Sequence, residues 1–138
     1  MIGRKELPAH LLAPYRAFLA VLEEVEPAKA GLADVLPGTR LPGRPLRDAV
    51  AEYRRRSLAA QRLMPAWRSD EMEAEWEACD RGLQDAVAYA ERVLAAPNDP
   101  VGFEGLLGTV ERLMDALEPF ALAGERFRGL RRRARRTH

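Results

Sequence analysis

Ten prolines cut this chain into stretches in which apolar residues recur every three or four positions. That period belongs to the α-helix, and no stretch alternates apolar and polar residues long enough to make a strand. Composition points the same way. Ala appears 23 times and Leu 19, against eight Val, three Thr and one Ile, too few β-branched residues for a good sheet. The 138 residues suit one domain.

Four helical segments follow. The first, from about Leu7 to Val25, carries Leu11, Tyr15, Phe18, Leu22 and Val25 on a heptad seam, widened by Leu12 and Leu19. Pro14 marks its start or a kink and Pro27 its end, with Ala28 to Leu36 free to add a turn or two. Residues 37–45 hold two Pro-Gly pairs and a third proline, which makes them the main loop. The second helix starts at Pro45 and ends near Met64; Leu46, Val50, Tyr53, Ala60, Leu63 and Met64 point inward and Ser57 interrupts the stripe. The third runs from a cap at Ser69 or Asp70 to Pro97, on Met72, Trp76, Cys79, Leu83, Ala86, Ala90 and Val93. The fourth opens after Asn98-Asp99-Pro100 on Phe103, Leu106, Val110, Leu113, Leu117 and Phe120, thickened by Leu107 and Met114; Pro119 kinks or splits it. The expected fold is all-α: an antiparallel four-helix bundle with left-handed heptad-type packing. Its expected division is a bundle over residues 1–125 and an Arg-rich helix end or tail over 126–138.

The chemistry available to such a bundle is narrow. A single cysteine, Cys79, excludes an intrachain disulfide and any multi-Cys metal site, and its seam position reads as a small hydrophobe. The two histidines, His10 and His138, supply no Glu-x-x-His pair for a di-metal bundle. No Gly-rich phosphate loop and no nucleophile–base pair stands out, so no catalytic residue, metal or cofactor is expected. Glu104, Glu111, Glu118 and Glu125 recur every seven residues beside the seam and read as a solvated face. Gly102, Gly105 and Gly108 read as a helix start against which a neighbour packs, or a ligand-adjacent one.

The acidic run Asp70, Glu71, Glu73, Glu75, Glu77 and Asp80 is expected to pair across a hairpin whose turn is centred near Trp67. Arg54 then faces Asp80, and Arg62 faces Glu71 or Glu73. Trp67 itself reads as a cap on the bundle end or an exposed contact, and Trp76 as core.

The sharpest feature is the end of the chain. Residues 126–138 hold Arg126, Arg128, Arg131, Arg132, Arg133, Arg135 and Arg136 and no acid. They account for seven of the 22 basic residues, so the other 15 face 21 acids and residues 1–125 carry a net charge of −6. A basic end on an acidic body suits a polyanion, although Arg over Lys also reflects a GC-rich coding bias, and cations at a helix C-terminus suit its dipole. The expected function is therefore a non-enzymatic helical interaction or scaffold module of a bacterial cytoplasm. Its expected partner is a protein or a second copy in a homodimer, and the chain has no membrane span. One alternative is a weak accessory nucleic-acid binder acting through those arginines. The other is a bundle enclosing an apolar small molecule lined by Phe18, Tyr53, Trp76, Phe103 and Met114.

Overall fold

The structure, a computed structural model, describes residues 7–37 and 43–136, with side chains as far as Arg131. Its helices are α1 (Ala9–Ala33), α2 (Leu46–Leu63), α3 (Glu73–Ala95), α4 (Gly102–Ala116) and α5 (Pro119–Arg136). Two 3₁₀ turns, Met64–Trp67 and Asp70–Met72, join α2 to α3, and no strand occurs among the described residues. The fold is a four-helix bundle whose fourth member is α4 continued by α5 through a 35° bend. Neighbours run antiparallel, each direction being fixed by two pairs at different heights. At one height Gly31 of α1 lies by Glu52 of α2, Trp76 of α3 bonds to Met64 just past α2, and Gly82 of α3 lies against Ala116 of α4. At the other Glu24 of α1 meets Arg56 of α2, Arg54 of α2 meets Glu91 of α3, and Glu75 of α3 meets Arg126 of α5.

The proline signals acted unequally. Pro27 does not end the first helix; α1 runs 25 residues through both Pro14 and Pro27. A proline inside a helix leaves the carbonyl four residues earlier without its donor. Here those carbonyls belong to His10 and Glu23, both exposed, where water serves them. The turns beyond Pro27 bury Ala28 and Leu32, and that burial offsets the lost bond. Pro119 does break its helix. The Leu117 and Glu118 amides donate to Met114 and Asp115, three residues back, and α5 starts afresh at Pro119.

The buried seam of α1 is Leu11, Phe18, Val21, Val25, Ala28 and Leu32. It is rotated from the expected one, so Leu12 and Leu19 are exposed and Tyr15 and Leu22 are half-buried. Leu63 of α2 is exposed too, whereas Ser57 is buried with its Oγ unbonded. Leu83 and Leu113 are fully buried, as the heptads require. Of the two readings of Trp67, the cap on the bundle end is the one the structure shows, while Trp76 is less buried than its seam position predicts. Trp67 is the largest fully buried side chain, edge-on to Phe18 at 5.0 Å and 6.2 Å from Phe127. Trp76 is half-buried, donating its indole N–H to the Met64 carbonyl at 2.7 Å. Met64, Trp67 and Met72 of the α2–α3 connection are thus core, while Pro65 and Ala66 between them are exposed, and Trp67 seals one end of the bundle with Phe18, Phe120 and Phe127.

Close helix approach falls at Gly82, which no glycine pattern marked. A Cβ there would lie 2.3 Å from the Ala116 carbonyl oxygen. Of the three glycines opening α4, Gly102 has a positive φ of 72°, Gly105 lies against Pro100, and Gly108 has open space beside it. The expectation of a helix packed on that bare backbone fails. Asn98-Asp99-Pro100 does not cap α4 either, since Val101 holds the cap position and the turn is made at Gly102. The expected boundary at residue 125 falls inside α5, where Phe127 (1% exposed) and Leu130 (8%) belong to the core.

Candidate functional site

The basic end is the last three turns of α5, from Arg126 to Arg136. Phe127 and Leu130 face the core, so the arginines between them must leave the helix elsewhere. Arg126 turns back to Glu75 of α3 at 3.5 Å. Arg131 lies with its guanidinium 5.1 Å from the Tyr15 ring centroid, its Nε buried without a hydrogen-bond partner. Arg128 is exposed. Arg132, Arg133, Arg135 and Arg136 continue the helical backbone, and their side chains lie outside the described residues. Positions 128, 132 and 135 follow at spacings of four and three, which sets them on one helix face, away from positions 127 and 130.

The acidic body is mostly self-satisfied at this end. Glu71 accepts from His10 at 2.7 Å, and that hydrogen bond holds its carboxyl below the usual range. Glu73 pairs with Arg68, whose Nε donates at 3.0 Å and likewise lowers the Glu73 pKa. Asp80 accepts from Gln84 at 3.0 Å. The expected partners are corrected: Arg54 meets Glu91 at 3.1 Å rather than Asp80, and Arg62 meets neither Glu71 nor Glu73. The cause is the connection, which spends residues 64–72 on two 3₁₀ turns and moves the centre of the hairpin several residues past Trp67. Glu104, Glu111, Glu118 and Glu125 are all exposed. Among the described residues no group of three or more His, Cys, Asp or Glu is placed to hold a metal ion.

Cys79 is fully buried, and burial first, then the nearby Glu75, pushes its thiol up to about 12. Among the described residues no aromatic contact joins any two of the five residues considered for an apolar site. Phe18 is in the aromatic end cluster, Tyr53 is buried against Leu113, and Trp76 and Met114 are half-buried. Phe103 is 56% exposed at the start of α4.

Three open clefts among the described residues are lined by none of those five. One of about 370 Å³ lies beside Val35, Leu46 and Leu106. One of about 600 Å³ runs between α3 and α5 past Ala74, Ala78, Leu122 and Arg126. The third, about 540 Å³, lies between α3 and α4 and contains Tyr89, Arg92 and Arg112. Sequence reasoning did not single out these last three. The one available signal was the three-residue spacing of Tyr89 and Arg92 on a helix, since Arg112 reaches them only through the pairing of α3 with α4.

The site and fold define a small all-α bundle with a basic helix end and no helix, among the described residues, long and apolar enough to cross a membrane. No family model, curated protein or solved structure matches the chain.

Proposed function

We propose that this chain is a non-enzymatic helical interaction module that docks on the phosphates of a nucleic acid through the exposed face of α5. The observation that carries this reading is that the last 13 residues hold seven arginines and no acid, with positions 128, 132 and 135 on the helix face away from the core residues Phe127 and Leu130. A helical backbone anchored by Phe127 and Leu130 loses less backbone freedom on contact than a loose tail would. Guanidinium groups suit phosphate because they donate two parallel hydrogen bonds to it. Arg126 is not counted among the contacts, since Glu75 already holds it. With no aromatic side chain beyond Phe127 in the sequence, base stacking plays no part, and binding is weak and blind to base sequence. A cytoplasmic location goes with this reading, and self-association through the exposed Leu12 and Leu19 of α1 would double the number of arginines presented.

The test compares full-length protein with a variant carrying Arg128→Gln, Arg132→Gln, Arg135→Gln and Arg136→Gln in fluorescence anisotropy with a random DNA duplex. Substitution is preferred to truncation, which would strip Phe127 and Leu130 from the core. The wild type should bind at low salt and the variant should not. Equal binding by both would remove α5 from the interface.

A further inference from the structure

We propose that the cleft between α3 and α4 binds a small organic anion, a carboxylate or phosphate ester carrying an apolar body, with the charged group held between Arg92 and Arg112. This site is separate from α5 and independent of the reading above. The cleft is open to solvent and offers about 540 Å³, inside the roughly 300–1,000 Å³ range of small-molecule sites.

The electrostatics are unbalanced in one direction. The Arg92 guanidinium lies 5.5 Å from the Tyr89 ring centroid and that of Arg112 lies 5.1 Å from the same centroid. Two cations therefore share one ring, and among the described residues neither has a carboxylate at ion-pairing distance. Of the neighbouring acids, Glu91 is engaged by Arg54 at 3.1 Å and Asp99 by Arg47 at 3.4 Å, while Asp85 and Asp115, a turn away from Tyr89 and Arg112 on the same helices, are exposed and not within ion-pairing distance of either cleft arginine. Arg47 also donates to the Leu94 carbonyl at 2.9 Å and to the Ala96 carbonyl. It thereby neutralises the negative end of α3, which would otherwise repel an anion at this mouth. What is left is a pair of like charges whose mutual repulsion an anion between them would relieve.

The rest of the lining fits an apolar body. Val93, Ala96 and Pro100 line the cleft with Tyr89, and Asn98 adds an amide to the lining. Thr109 is not free to join, because its hydroxyl donates to the Gly105 carbonyl at 3.0 Å. Charge and apolar wall together select an amphiphilic anion over inorganic phosphate or an uncharged aromatic.

The probes are phenyl phosphate and benzoate, with inorganic phosphate and benzyl alcohol as controls, titrated into the full chain and followed by amide NMR shifts. Both organic anions should give saturable shifts confined to residues around Tyr89–Ala96 and Thr109–Arg112. Arg92→Gln and Arg112→Gln should each weaken them by about tenfold or more, and Arg112→Lys by less. The α5 variant with four glutamines should bind them as the wild type does. Both cleft arginines are exposed, so thermal unfolding should confirm that the variants stay folded. Three results would overturn the site: no saturable shift with either anion, undiminished affinity in the Arg92→Gln, Arg112→Gln double variant, or equal affinity for benzyl alcohol.

Discussion

The Tyr53 hydroxyl of α2 donates a 2.6 Å hydrogen bond to the Leu113 carbonyl of α4, across the centre of the bundle. The bond exists because α4 is ending. The Leu117 amide, which a continuing helix would give to Leu113, goes to Met114 instead. A break set by Pro119 thus creates an orphan carbonyl, and a tyrosine on the diagonal helix satisfies it.

Replacing Tyr53 by Phe leaves that buried carbonyl without a donor. The expected loss is about 1–3 kcal/mol in denaturant unfolding. Burial also raises the Tyr53 pKa above its ordinary value of 10.0. The neutral phenol is favoured in the folded state, so its contribution is fully present below the unfolded pKa and falls as pH rises beyond it. Stability measured across the alkaline range should therefore decline less steeply in Tyr53→Phe than in the wild type.

Two glycine-to-alanine changes should have opposite signs. Gly82→Ala places a methyl against the Ala116 carbonyl oxygen, a backbone atom that cannot swing aside, and should cost about 1–3 kcal/mol or more. Gly108→Ala meets nothing and should stabilise α4 by up to about 1 kcal/mol. Thermal unfolding of the two variants checks both.

Cys79 should react slowly with a thiol reagent in the native protein and rapidly once unfolded. Burial both shields the sulfur and holds its thiol up to about 12, so little thiolate forms at neutral pH. Fast native labelling would contradict its core position.

Trp67→Ala should cost about 3–5 kcal/mol, and Phe103→Ala close to nothing. That contrast marks the limit of what the residues alone reveal. Heptad spacing located the buried faces of α3 and α4 down to Leu83 and Leu113, because a period is a local property. It could not place Trp67, which is buried by a connection with no periodicity of its own, or Phe103, which keeps the spacing but lies past the last turn covered by a neighbour. Pro27 misled for a related reason: a helix tolerates proline when the exposed side loses the hydrogen bond and the buried side gains packing. The arginines of α5 were legible as a run. The Tyr89–Arg92–Arg112 cleft was not, because it depends on the register between two helices.

The most direct test of the function is the salt dependence of duplex binding. Four arginines on α5 that each displace a counterion should give a slope of about −4 in log K against log salt, and a dissociation constant of roughly 10⁻⁴–10⁻⁶ M at physiological salt. The account predicts that slope for full-length protein on random duplex and its collapse in the variant with glutamine at 128, 132, 135 and 136. A flat salt dependence, or no binding even at low salt, would contradict it.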